Sequence, residues 1–138
     1  MDKEFVPFDL SLIMRDKGFD EKTFGFYWMD TKQLVYDTPN YGKHNGCHLQ
    51  APLQQQAINW FSEVHNIEIE ILRYTYNGGK YQGKVYMWMV DQYDPKYNHE
   101  LEENPDHWVL NQRKSQGYDF KNKIDAINEA IKEALTLI

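Results

Sequence analysis

A chain of 138 residues with an apolar fraction of 41% is long enough to bury one core and too apolar to be disordered. The net charge is −6, and the 15 Lys and Arg residues form no run longer than Arg113-Lys114, which argues against nucleic-acid binding and against docking on an anionic membrane. The single cysteine, Cys47, excludes an intramolecular disulfide, and the N-terminus lacks the apolar run of a signal peptide, so we expect a cytoplasmic protein.

The N-terminal region predicts one helix. Pro7 suits the first turn of a helix, because its fixed φ fits that position and no backbone donor is lost there. Leu10 and Met14 follow at a four-residue spacing and share one face. We therefore expect a helix from Pro7 to Lys17 that ends at Gly18 in the left-handed conformation.

The next region predicts a β-hairpin followed by a loop. Aromatic and β-forming residues over 23–29 indicate a strand, which a turn at 30–32 joins to a short return strand over 33–36. Turn-forming residues are frequent over 37–50, and we expect a long loop there. A loop of that length is often functional in a small domain.

A second helix and a second hairpin follow. Pro52 marks the start of an amphipathic helix that Asn66 can end in the left-handed conformation. Isoleucine then alternates with glutamate over 67–71, which indicates a strand with one buried face that continues to Tyr76. Asn77-Gly78 is a strong hairpin signal. The partner strand over 81–93 is apolar on both faces, so we expect it to be central in the sheet.

The C-terminal region predicts a loop, a short strand and a helix. Residues 94–107 are polar and acidic, residues 108–110 resemble a short edge strand, and a polar stretch covers 111–117. The last helix carries an apolar stripe that includes Ile127 and Ile131.

The predicted order of elements is α-β-β-α-β-β-(β)-α. We therefore expect a single α+β domain over residues 1–138, with an antiparallel sheet built from two hairpins and helices packed on it. No internal repeat or linker divides the chain.

The strongest candidate for a chemical site is a short run of potential metal ligands in the first predicted loop. His44, Cys47 and His48 lie close enough in sequence to begin a zinc site, but a structural zinc needs four ligands and the chain has no second cysteine. Cys47 also lacks the surrounding signature of a known cysteine nucleophile. We therefore expect no metal site, no cofactor and no enzymatic activity.

The aromatic excess is the feature that most favours a binding function. Aromatic residues make up 15% of the chain and include ten tyrosines, too many for all of them to be buried. If the isoleucines of the second hairpin face the helices, Tyr74 and Tyr76 face outward, and we expect Tyr86 and Trp88 beside them. We predict that these four residues form the binding surface. Arg73, Lys84 and Arg113 are candidates to bind the phosphates if the ligand is a nucleotide.

Three segments carry a resemblance to other proteins. They are residues 5–20, which begin Phe5-Val6-Pro7-Phe8 and end Lys17-Gly18-Phe19-Asp20, residues 51–61, and residues 126–130 of the last helix. In them the chain resembles a family of small uncharacterised proteins encoded by phages and prophages of gut bacteria. The resemblance implies a shared fold and a phage accessory context in the host cell, and it implies no catalytic residues.

The sequence thus favours a non-enzymatic phage accessory protein that binds a host or phage macromolecule, such as a component of host defence. A protein partner or self-association is the expected mode of action, because exposed Tyr and Trp are frequent at recognition surfaces. One alternative is a small-molecule binder that sequesters a nucleotide signal, with bases stacked on Tyr or Trp and phosphates on Arg or Lys. Another is an enzyme whose site forms no sequence motif.

Overall fold

The computed structural model describes residues 2–41, 46–76, 83–94, 109–120 and 122–138. A 3-10 helix, Asp2–Glu4, precedes three α-helices and six β-strands within these ranges. In chain order they are α1 (Phe8–Asp16), β1 (Thr23–Trp28), β2 (Leu34–Tyr41), β3 (His48–Ala51), α2 (Gln54–His65), β4 (Ile67–Tyr76), β5 (Gly83–Asp94), β6 (Val109–Phe120) and α3 (Lys123–Leu135). The predicted α+β class is confirmed.

The strands form two antiparallel sheets of three strands each. Sheet 1 has the order β2-β1-β3, and sheet 2 has the order β4-β5-β6. Each predicted hairpin therefore belongs to a separate sheet and has a third strand beside it. The expectation that β5 is a central strand is confirmed.

The third strand of sheet 1 lies in the region predicted to be a loop. Strand β2 extends to Tyr41, and β3 pairs with β1 through Phe26 opposite Gln50 and Trp28 opposite His48. Leu49 is fully buried in β3. A loop over all of 37–50 was therefore a wrong prediction, because this four-residue strand is too short to show a period and depends on its neighbour. Residues 42–45 lie outside the described residues.

The third strand of sheet 2 is four times as long as predicted. Strand β6 has 12 residues, whereas the sequence indicated a strand over 108–110 and a polar stretch after it. The polar residues belong to the strand because their backbone pairs with β5, and two of their side chains form ion pairs with neighbouring elements. Arg113 contacts Asp91 of β5 at 2.7 Å, and Lys114 contacts Glu133 of α3 at 2.7 Å. The predicted loop over 94–107 lies outside the described residues apart from Asp94, which ends β5.

The predicted ends of the first two helices are confirmed. Gly18 has a φ of 100°, and the amide groups of Gly18 and Phe19 donate to the carbonyl groups of Arg15 and Met14, both at 3.0 Å. These two bonds are the pair that closes a Schellman motif. Asn66 ends α2 in the left-handed conformation, with a φ of 55°.

Two clusters of buried side chains accompany the two sheets. The larger cluster joins α2 and α3 to sheet 2 and includes Phe61, Ile67, Trp88 and Ile131. The smaller cluster lies on sheet 1 and consists of Phe5, Tyr27, Leu49 and Ala51. Val6 follows Phe5 directly but belongs to the larger cluster, so this two-residue segment connects the two parts of the core.

The backbone of Val6 makes three hydrogen bonds to different elements. Its amide donates to the carbonyl of Pro52 at 2.8 Å. Its carbonyl accepts from the hydroxyl of Tyr27 at 2.8 Å and from the hydroxyl of Ser11 at 3.0 Å. Burial, with a smaller contribution from the charge of Asp2, raises the pKa of Tyr27 to about 12, so the hydroxyl keeps the proton that it donates.

We expect Ile131→Ala to lower the free energy of unfolding by about 2–5 kcal/mol, because it empties a buried aliphatic site. Ile131 is fully buried between α3 and sheet 2. Ile13→Ala is the matched control, since Ile13 is 41% exposed on α1 and should cost less than about 1 kcal/mol. Urea unfolding measures the free-energy change of both variants, and an equal effect of the two substitutions would contradict the burial of Ile131 in the core.

A double-mutant cycle tests the hydrogen bonds to Val6. Tyr27→Phe and Ser11→Ala should each cost about 0.5–1.5 kcal/mol, because one donor still reaches the carbonyl. The double variant should cost more than the sum of the two, because the buried carbonyl then has neither hydroxyl. Strict additivity in chemical denaturation would show that the two hydroxyls do not act on a shared acceptor.

Candidate binding surface on the second sheet

Sheet 2 has one side that faces the helices and one that faces away from them. Ile69 and Val90 are direct partners in the register of β4 and β5, and both belong to the core cluster with α2 and α3. Because side chains alternate along a strand, even-numbered residues of β4 and odd-numbered residues of β5 point to the opposite side. We call that side the outer face. Its described members are Glu68, Glu70, Leu72, Tyr74, Val85, Met87, Met89, Asp91, Tyr93, Leu110, Arg113 and Ser115.

The centre of the outer face is apolar and partly accessible. Leu72, Met87 and Met89 are half-buried there, and Tyr74 beside them is 49% exposed. Leu110 is 41% exposed and lies opposite Tyr93, at the far end of the sheet from Tyr74. A sheet that packs helices on one side normally carries polar residues on the other. Flexible Met side chains, together with Tyr, are typical of surfaces that adapt to a partner.

A charged group lies at one end of this face. The Arg113 guanidinium donates two hydrogen bonds to the Asp91 carboxylate, at 2.7 and 2.9 Å, which together with the charge of Asp91 raises the pKa of Arg113. The Tyr93 hydroxyl donates to the same carboxylate at 3.4 Å. Burial first and the charge of Asp91 second raise the pKa of Tyr93, whereas the charge of Arg113 lowers it.

The four predicted aromatic residues do not form one patch. Tyr74 lies on the outer face, and the backbone of Tyr76 follows in the same strand. Trp88 is 5% exposed and lies in the core, so its predicted exposure was wrong. Tyr86 is half-buried and also lies on the helix-facing side.

The register of the hairpin explains this division. Residues directly opposite each other in an antiparallel pair share a face. Trp88 is opposite Ile71, and Tyr86 is opposite Arg73, so all four point to the helix-facing side. Placing Tyr86 and Trp88 beside Tyr74 was therefore an error in the assignment of faces. Residues 77–78, the predicted turn, lie outside the described residues.

The accessible apolar residues on β5 and β6 were missed as binding candidates. Met87 and Met89 alternate with buried residues in a strand that is apolar on both sides, a pattern typical of burial on both sides. Leu110 is followed by polar residues and gave no signal of a surface role. Only the position of the helices shows which side of β5 is accessible.

Sheet 1 carries a second group of accessible aromatic residues. Phe24, Phe26 and Trp28 alternate along β1, and Phe24 is 61% exposed while Phe26 is buried. The centroid of the His48 ring lies 4.5 Å from the ring centroids of both Phe26 and Trp28. Phe24 was also missed, although the alternation in β1 is visible in the sequence.

Two features considered in the sequence can be checked over the described residues, namely grouped metal ligands and membrane-spanning helices. Cys47 is exposed and His48 is half-buried, while His44 lies outside the described residues. Over the ranges that the structure describes, no three His, Cys, Asp or Glu residues are grouped so that they could hold a metal ion. None of the described helices has the length and apolar character needed to cross a bilayer.

Comparison of the chain with protein-family models, curated proteins and solved structures finds no significant match.

Substitution of Asp91 and substitution of Arg113 should shift the pKa of Tyr93 in opposite directions. Asp91→Asn should lower the pKa of Tyr93 but leave it above its ordinary value, because burial, the larger cause, persists. Arg113→Gln should raise the same pKa further, because it removes a nearby positive charge. NMR titration of ring-labelled tyrosine measures both, and shifts in the same direction would contradict the geometry.

Proposed function

We propose that this chain is a non-enzymatic binding protein that engages a partner protein through the outer face of sheet 2. The observation that carries the proposal is the apolar centre of that face, which includes Leu72, Tyr74 and Met87 and lies on the side away from α2 and α3. An accessible apolar patch with polar residues around it is characteristic of contact sites.

The charges around the patch indicate the kind of partner that fits. Glu68 and Glu70 are exposed on β4, beside the apolar centre, and the chain has a net charge of −6. A partner with an apolar centre and basic residues around it would be attracted to this surface at long range. A second copy of the chain would place like charges together, so a different protein is the better fit.

The biological setting is proposed from the sequence. The resemblance to phage and prophage proteins supports a phage accessory role in the cytoplasm of the host cell, with a host or phage macromolecule as the target. A component of host defence is one target of that kind. The single cysteine is consistent with a reducing compartment.

The test compares substitutions on the two sides of one strand. Tyr74→Lys places a charge on the outer face, whereas Thr75→Lys places the same charge on the next residue, which is exposed and points to the other side. If Tyr74 is a central contact, its substitution should cost about 2 kcal/mol of binding energy, or about 30-fold in affinity, and the control should cost little.

The measurement is capture of partners from a bacterial host lysate, followed by affinity measurement with the captured protein. Light scattering of the wild type reports self-association, and urea unfolding confirms that both variants fold. A wild-type monomer that captures nothing, or equal capture by the Tyr74→Lys variant, would refute binding through this face.

A further inference from the structure

A groove opens between the N-terminal turns of α2 and α3, on the helix-facing side of sheet 2. Its volume is about 570 Å³, which is within the usual range of small-molecule sites. Six aliphatic side chains line it: Leu53, Ile58, Ile69, Ile71, Ile124 and Ile127. The groove is on the opposite side of sheet 2 from the outer face, so it is separate from the proposed protein-binding surface.

A buried glutamine holds the two helices in place beside the groove. The Gln54 side-chain amide donates to the carbonyl of Ile124 at 3.1 Å and to the side-chain oxygen of Asn128 at 2.8 Å. Gln54 is only 6% exposed, so these bonds are protected from water. This polar link connects the first turns of α2 and α3 and makes the groove a preformed feature.

The side chains that line the groove indicate the chemistry of the main part of the ligand. The described lining residues include no aromatic side chain that could stack on a planar ring. Branched aliphatic side chains instead favour a flexible hydrocarbon chain, which they contact through dispersion and shield from water.

The charges near the opening indicate the ligand head. Lys123 lines the groove, and exposed Arg73 lies two residues beyond Ile71 on the same side of β4. Glu4 also lines the groove and offsets one of the two positive charges. The first turns of both helices add partial positive charge. Asp125, the acidic residue in the first turn of α3, lines a neighbouring pocket with Asn122 and not this groove, so the balance at the opening favours an anion.

We propose that this groove binds a medium-chain aliphatic carboxylate. The hydrocarbon chain lies against the isoleucines, and the carboxylate lies toward Lys123 and Arg73. Binding involves no covalent step and is independent of the partner protein proposed for the outer face.

Calorimetric titration with octanoate, decanoate and dodecanoate below their micelle concentrations tests the hydrocarbon contact. Each added methylene should tighten binding by up to about fourfold while the groove has room for it. Decanol, which has the same chain length as decanoate without the charge, should bind more weakly. Absence of saturable decanoate binding, or affinity that does not change with chain length, would overturn the proposal.

Substitutions of two lysines in α3 test whether Lys123 contacts the carboxylate of the ligand. Lys123→Gln should weaken decanoate binding by about two- to fivefold, the range for an exposed ion pair, and leave decanol binding unchanged. Lys132→Gln is the matched control, because Lys132 is exposed on α3 and does not line the groove. Equal effects of the two substitutions would overturn the role of Lys123.

Two further variants locate the site. Ile58→Phe should reduce decanoate affinity at least tenfold by filling the groove, whereas Tyr74→Lys on the outer face should leave it unchanged. The opposite result would place the fatty acid on the outer face and overturn the proposal. If Ile58→Phe fails to fold, the Tyr74→Lys variant and the two lysine variants still decide the outcome.

Discussion

The segment Phe5-Val6 connects the two buried clusters of the core. The three hydrogen bonds of the Val6 backbone join this segment to α1, to β1 and to Pro52, two residues before α2. The side chains of the two residues enter different clusters. Each sheet has its own buried cluster, and this segment joins them together with α1, whose Met14 belongs to the larger cluster and whose Leu12 packs against the smaller one.

A close approach of backbone atoms makes room for that segment. A Cβ atom at Gly25 would lie 2.8 Å from the carbonyl oxygen of Val35 and 3.0 Å from the ring of Phe5. Backbone cannot move away cheaply at the centre of a three-stranded sheet, so a glycine is required there. The absence of a side chain at this one position lets Phe5 pack against β1 while β2 remains paired.

The lengths of the elements of sheet 2 explain why surfaces remain accessible on both of its sides. Helices α2 and α3 have 12 and 13 residues and span about 18–20 Å. Strands β4 and β5 have 10 and 12 residues and span about 33–40 Å. The helices therefore cover part of one side only. The groove opens where their first turns begin, and the outer face keeps its apolar centre.

The three helices, the first strand of each sheet and the helix ends at Gly18 and Asn66 could be predicted from local sequence, because periodicity and residues that adopt the left-handed conformation act over a few positions. The pairing of β3 and β6 depends on the tertiary structure, since β3 is too short to show a period and β6 is mostly polar and is a strand only through its backbone pairing with β5. The tertiary structure also decided the side to which each aromatic residue of the second hairpin points. A strand that is apolar on both faces gives no signal of which face the helices will cover, and only the register with β4 places Trp88 in the core and Tyr74 at the surface.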